Sequence, residues 1–307
     1  MASSERYDEA RRSNLKQIAQ ETVDAHHAGY YSFRGVDYPL GIEESSKKTK
    51  FFGPDSETSF WGSTKPDTSP SPAHISVLQV STVDAARLLH NAYKNHPRES
   101  GSITGVLNFA SATKPGGGFR NGAEAQEESI ARCSTLYCSL ITAEASKFYD
   151  LHKSESAQRD AMHYSHAMIY SPKVTVFRDD DGGWTYPFNI NVLSCAAVNA
   201  GELRKNRDGP ITTGLEVKIE QQMEERMGRI LYVFEQYGIR NLVLGTFGTG
   251  VFRNNVATVA RIWAHLLIQR NARFRSSFDR IIFAITDTGT FADFQDAFDA
   301  WASPNRG

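Results

Sequence analysis

Apolar positions recur along this chain at two different periods, and the switches between them mark out its elements. Leu15, Ile18, Ala19 and Val23 fall on one face of a first helix, with Ser3 or Ser4 placed to cap it. Residues 29–38 predict a short hairpin. Residues 53–72, rich in Ser, Thr, Pro and Gly, predict a long surface loop, with Trp61 packed back on the domain. From residue 75 the pattern alternates. Strands are predicted at 75–80, 103–109, 166–170, 174–177, 192–197, 242–244 and 281–285.

Helices are predicted between these strands. One over 83–93 carries Ala85, Leu88 and Leu89 on one face. A second starts near Glu124 and carries Ile130, Cys133, Tyr137, Leu140 and Ile141. A third, over 216–237, offers Ile219, Met223, Ile230, Leu231 and Phe234 to its buried face, and a fourth covers 255–269. Such alternation predicts an α/β protein with a mostly parallel sheet covered on both faces. With no internal repeat or separable linker, residues 1–307 read as one domain. Residues 1–72 form an N-terminal helical and hairpin extension with its loop, and 73–300 form the core.

Length and charge narrow the function. The 307 residues are 40% hydrophobic and carry a formal net charge of -1, which argues against broad electrostatic binding to nucleic acid. Cys133, Cys138 and Cys195 sit in apolar surroundings and are odd in number, so they read as buried free thiols in a reducing compartment. The start of the chain has no apolar signal region, and no apolar run reaches 18 residues; the expectation is an intracellular protein, of cytoplasm or nucleus, that neither spans a membrane nor is secreted.

The candidate chemistry lies after the strand at 103–109. Gly116, Gly117 and Gly118 let the backbone take positive φ and approach a ligand closely. They lead into Gln126, Glu127 and Glu128 at a helix start, where acidic residues also simply complement the helix dipole. A glycine cradle beside two carboxylates suits a site that grips a polar ligand and does acid–base chemistry on it. The second glycine loop, Gly245-Thr246-Phe247-Gly248-Thr249-Gly250, precedes a helix and predicts an anion site of loop N–H groups and helix dipole. Its spacing matches neither a P-loop nor a dinucleotide fingerprint. The acidic turn 179–183 lacks EF-hand spacing and reads as a solvated turn. His152, His163 and His166 lack a zinc arrangement and read as structural or surface residues, and Arg120 as a loop charge or a phosphate contact.

The stretch from Gly116 to Glu128 resembles the signature of poly(ADP-ribose) glycohydrolases, and its surroundings resemble the compact bacterial and fungal type built on a macrodomain. Residues 106–111, 193–201 and 244–255 agree with that resemblance. It implies a three-layer α/β/α macrodomain-like mixed sheet. Gly245, Thr246, Phe247, Gly248, Thr249, Gly250 and Val251 would hold the diphosphate of ADP-ribose, with Phe252 against the distal ribose. Asn108 would bond the distal ribose hydroxyls, and Asn199 would stand in the site wall.

The implied reaction is hydrolysis of the ribose–ribose O-glycosidic bond with no metal or cofactor. Adjacent helical residues point about 100° apart, so Glu127 and Glu128 are not expected to flank one bond. Glu128 is expected to protonate the leaving oxygen and then activate water, while Glu127 holds ribose hydroxyls. A helix N-terminus favours an ionised carboxyl; a nearby diphosphate and desolvation would restore the proton a general acid needs. The expected partners are poly(ADP-ribose), ADP-ribose and ADP-ribosylated proteins, with the protein a monomer acting in the DNA damage response. Two alternatives stand beside this: a macrodomain that reads ADP-ribose without cleaving it, and a hydrolase of mono-ADP-ribosyl protein or O-acyl-ADP-ribose.

Overall fold

A computed structural model describes residues 2–65, 71–93, 104–155, 161–205 and 212–302. The long helix α1 (Ala2–Ala28) leads to a hairpin of β1 (Tyr30–Phe33) and β2 (Val36–Pro39), then α2 (Ile42–Lys48) and β3 (Lys50–Phe52). Next come β4 (His74–Leu78), α3 (Thr82–Tyr93), β5 (Thr104–Phe109), α4 (Gln126–Cys133), α5 (Leu136–Leu140) and α6 (Ala143–Glu155). The second half holds β6 (Met168–Arg178), β7 (Trp184–Cys195), α7 (Ala200–Lys205), α8 (Thr213–Gln236), β8 (Asn241–Leu244), α9 (Val256–Leu267), β9 (Arg280–Ala284) and α10 (Thr288–Ala302).

Seven strands form one sheet in the order β3-β6-β7-β5-β8-β9-β4. The pairs from β7 to β4 are parallel, whereas β3 and β6 add an antiparallel edge. Alternation along the strands makes two cores. Leu107, Leu193, Leu242, Leu244, Ile281 and Phe283 face a layer of α8, α9 and α10. Val106, Val192, Val243, Ile282 and Ala284 face α3, α4, α5 and α6. The sheet is therefore covered on both sides, as an α/β/α sandwich requires.

Several sequence expectations shift in detail. α1 begins at Ala2, so Ser3 and Ser4 lie within the helix rather than at its cap, while its stripe of Leu15, Ile18, Ala19 and Val23 is buried. Leu88 is 50% exposed, unlike Ala85 and Leu89 on its helix. The helix expected from Glu124 to Ile141 breaks at Ser134, because Ser134 bridges to Val176 and the Thr135 N–H donates to the Thr175 carbonyl at 2.9 Å. Edge pairing with β6 thus wins over helical continuity, and Ile141 ends 55% exposed.

The two strands predicted around Pro172 are one strand with a register shift there, and α10 was not foreseen. Ile103 and residues 66–70 of the predicted loop lie outside the described residues. Trp61 does pack back on the domain: its ring stacks on Phe274 at 5.9 Å, and its Nε1 donates to Glu225 at 2.9 Å.

Two buried polar residues tie loops to strand ends. Arg226, fully buried, donates to the carbonyls of Ala196 at 2.8 Å, His163 at 2.9 Å and Tyr164 at 3.1 Å, so one side chain satisfies three backbone acceptors. His152, held well below its usual range at about 4 by burial, pairs with Ser165 through Nε2, a structural role.

In β5 the chain passes α8 and β8 too closely for any side chain at Gly105. A Cβ there would lie 2.7 Å from Ile239 and 2.8 Å from both Leu242 and Phe234. Gly105→Ala should therefore lower unfolding free energy by about 1–3 kcal/mol through overpacking. Chemical denaturation should show a lower midpoint at unchanged slope; an unchanged midpoint would mean the contact relaxes freely.

Candidate active site

The carboxyl ends of the parallel strands open into a cavity of about 730 Å³, where ligands bind in open α/β sheets. β5 supplies Phe109, Ala110 and Ser111 to its wall, β7 supplies Ala197, and the loop after β8 supplies Thr246 and Gly248 to Phe252. Gly117, Gly118, Gln126, Glu127 and Glu128 line it from the first glycine loop and α4. Both glycine loops predicted from sequence therefore meet in one cleft.

The first loop is shaped around the carboxylates. Gly116 and Gly117 take φ of 66° and 57°, the left-handed region that other residues reach at a cost. A Cβ on Gly117 would collide with Glu128 Oε1, stand 2.9 Å from Glu128 Cδ and stand 3.1 Å from Glu127 Oε2. Glu127 and Glu128 thus converge on one glycine, contrary to the expectation that adjacent helical residues diverge. The reason is position: they occupy the first turn, where the loop folds back over the helix start. Ser111 N–H donates to Glu127 at 2.8 Å and Gly118 N–H donates to Glu128 Oε1 at 2.9 Å. Glu128 Oε2 is buried with no hydrogen-bond partner among the described residues.

Burial pushes the Glu127 carboxyl up to about 8, against the pull of its bonds to Ser111 and Asn108. Burial therefore favours the protonated form of Glu127.

Not every predicted residue faces the cavity. Asn108 is fully buried behind Glu127, donating to it at 3.3 Å and to Ser194 Oγ at 2.9 Å, because β5 turns this side chain beneath the first turn of α4. Asn199 caps α7, accepting from Glu202 N–H at 3.2 Å, so it is not a wall residue. Gly116 lies behind Gly117. Gly245 accepts from Trp263 Nε1 at 3.1 Å, and Phe247 is buried against Phe109; neither lines the cavity. Gln126 lines it yet works mainly as a brace, bonding Phe109 N–H at 2.8 Å and the Leu107 carbonyl at 2.7 Å. Arg120 lies over the Tyr137 ring at 5.6 Å, outside the cavity wall.

The second loop also differs from its expected form. α9 starts at Val256 with Asn255 as cap, accepting from Thr258 N–H at 2.9 Å, and its first turn does not line the cavity. The free donors lie in the loop itself. The N–H groups of Gly248, Gly250, Val251 and Phe252 make no hydrogen bond among the described residues, and all four residues line the cavity. Such a run of free donors has the form of a nest that suits an anion. Asn254 holds it in shape, donating to the carbonyls of Val198 at 2.7 Å and Gly248 at 3.0 Å.

Other wall residues were missed from the sequence. Arg11 and Leu15 reach the cavity from α1, whose Thr22 donates to the Arg132 carbonyl at 2.7 Å. Ala284 to Asp287 and Thr290 form a further wall after β9, a position their place after a parallel strand would have marked. Asp180 lines the cavity too, accepting from the Ser81 and Ser129 hydroxyls, so the acidic turn is not merely solvated. Among the described residues no His, Cys, Asp and Glu cluster offers a metal site.

A central parallel sheet with an anion nest and a carboxylate pair at its strand ends defines a macrodomain-like hydrolase. The description "Microbial-type PARG, catalytic domain" matches residues 19–179, and the chain belongs to this family. It is similar to the crystal structure of poly(ADP-ribose) glycohydrolase from Thermomonospora curvata, with 34% identity, a TM-score of 0.81, and coverage of 95% of this chain and 99% of that one. The same enzyme bound to the inhibitor ADP-HPD matches with a TM-score of 0.77 at the same identity and coverage. The Deinococcus radiodurans glycohydrolase in complex with ADP-ribose matches at 29% identity with a TM-score of 0.74, covering 87% of this chain and 100% of that one. No curated protein is detectably similar in sequence.

Gly117→Ala should leave the protein folded but displace Glu128, lowering turnover about 10²-fold, the order expected of a misplacement near 1 Å; full activity would show the loop gives way. For Glu127, the folded state keeps a proton that the unfolded chain releases above about 4.5. Its stabilisation is complete below pH 4.5 and is lost as pH rises towards 8, by about 1.4 kcal/mol per pH unit. Glu127→Gln should flatten melting temperature against pH across that window; an unchanged slope would place the proton elsewhere.

Proposed function

We propose that this protein hydrolyses the ribose–ribose O-glycosidic bond of poly(ADP-ribose) and releases ADP-ribose. The observation that carries this reading is the convergence of Glu127 and Glu128 on Gly117, in the same cavity as the nest of free N–H groups from Gly248 to Phe252. A diphosphate held by the nest places a ribose towards the carboxylates. Family membership and the ligands of the related structures support the same substrate class.

In this reading Glu128 protonates the leaving ribose oxygen through its unpartnered Oε2, then activates water against an oxocarbenium-like centre. Glu127, protonated and bonded to Ser111 and Asn108, fixes the position of α4's first turn and offers its edge to ribose hydroxyls. Phe252, half-buried beside the nest, packs on the distal ribose. Asn108 acts through Glu127 rather than on substrate. The whole site comes from one chain, so a monomer suffices, and residues 1–307 act as one domain because α1 and β3 from the N-terminal segment serve the site and the sheet.

The substrate would be polymer carried on ADP-ribosylated proteins. The free cysteines suit a reducing compartment, cytoplasm or nucleus, and no described helix is long and apolar enough to cross a membrane.

Release of ADP-ribose from automodified acceptor protein, with EDTA present, tests this reading. Glu128→Ala should lose about 10²–10⁴-fold in rate while calorimetry shows ADP-ribose binding retained. Tight binding with no release by wild type would leave a reader domain in place of an enzyme.

A further inference from the structure

The strand β7 presents Trp184, Tyr186 and Phe188 on one face, two residues apart. Each lies beneath a guanidinium: Arg178 over Trp184 at 3.4 Å, Arg34 over Tyr186 at 5.7 Å and Arg87 over Phe188 at 5.0 Å. At the two ends the arginines are occupied. Arg178 pairs with Glu21 at 2.9 Å, and Arg87 donates to Thr185 Oγ1 and the Arg178 carbonyl, both at 3.2 Å. The middle of the row is open. Tyr186 is 56% exposed, and the exposed Arg34 makes no ion pair among the described residues.

Arg34 also occupies a costly place. It is the first residue of the two-residue turn between β1 and β2, with φ of 52°, followed by Gly35 at 76°. A turn with two left-handed residues favours Asn-Gly, and a long side chain there is disfavoured. The hairpin nevertheless places arginine at this corner and lays it across Phe33 at 5.2 Å and Tyr186. Phe33 and Tyr38 stand edge-on to Tyr186 at 5.2 and 6.2 Å, holding its ring upright. The nearby carboxylate of Asp37 is engaged by the Ser32 hydroxyl at 2.5 Å.

An exposed aromatic ring beside an unpaired arginine is the chemistry of single-stranded nucleotide polymers, where bases stack and a cation takes the phosphate. With a net charge of -1 the chain has no overall basic excess, so attraction for a polyanion rests on local cations such as this one. Two elements run between the patch and the cavity: the β6–β7 hairpin carries Asp180 of the cavity wall in its turn and Tyr186 in its second strand, and α3 starts in the wall at Thr82 and carries Arg87. We infer that the Arg34–Tyr186 patch is a second binding site for the poly(ADP-ribose) chain, engaging an adenine and a phosphate of units beyond the one in the cavity. This rests on the glycohydrolase reading and adds to it a preference for long polymer.

Arg34→Asn and Tyr186→Ala test it. Arg34→Asn suits the turn better, so its melting temperature should equal or exceed that of wild type. Both variants should raise KM for long polymer roughly tenfold, the order of one lost base stack, with kcat unchanged and hydrolysis of the two-unit oligomer unaffected. In the Glu128→Ala background with excess ADP-ribose filling the cavity, labelled polymer should still bind, and Tyr186→Ala should abolish that binding.

Unchanged KM for long polymer in both variants, with normal oligomer hydrolysis, would overturn the patch. So would self-association that Tyr186→Ala removes while polymer KM stays the same. Failure of wild type to hydrolyse even the two-unit oligomer would instead strike the glycohydrolase reading, and polymer binding in the Glu128→Ala background would then decide the patch by itself.

Discussion

The site depends on the contact between a glycine without a side chain and two carboxylates. Gly117 sits in the left-handed region with the carboxyl groups of Glu127 and Glu128 packed where its Cβ would be. Since the loop backbone touches both, their separation is fixed by covalent geometry and by two N–H donors, from Ser111 and Gly118, rather than by side-chain rotamers alone. Burying two acids together is unfavourable unless one stays neutral. The raised Glu127 carboxyl eases that cost, and Glu128 is the carboxyl placed to meet substrate.

Much of the remaining architecture holds this contact in place. Gln126 ties the start of α4 to β5, and Asn108 supports Glu127 from beneath. α1 closes the outer side: Arg12 donates to the Asn121 carbonyl at 3.0 Å, and a Cβ on Gly122 would meet the Arg12 carbonyl at 2.6 Å. Across the cleft, Arg226 anchors the end of β7, and Asn254 ties that end to the loop that carries the nest. The N-terminal helix is thus a structural wall of the site, although it precedes the sheet in sequence.

The fold was readable in the sequence because strand and helix periods alternate cleanly from residue 75, and the two glycine loops fall after strands that turned out to be adjacent in the sheet. What could not be read was set by tertiary contacts. Leu88 and Ile141 fit their helical stripes, yet neither has a partner layer over it. Ser134 and Thr135 leave the helix because β6 offers them pairing. Asn108, Asn199 and Phe247 carry residue types that suit ligand contact, but which way each points depends on strand register and on neighbours far along the chain. The convergence of Glu127 and Glu128 was hidden for the same reason: helical geometry describes their own element and says nothing of the loop that folds over it.

The central claim is that this loop holds Glu128 against the scissile linkage, with Glu127 beside the ribose, while the nest holds the diphosphate. The most direct measurement is a crystal structure of Glu128→Gln with an uncleaved two-unit ADP-ribose oligomer. The account predicts the diphosphate on the N–H groups of Gly248 to Phe252 and the ribose–ribose oxygen about 3 Å from the residue-128 side chain. A diphosphate bound elsewhere, or a linkage lying beyond reach of residue 128, would contradict it.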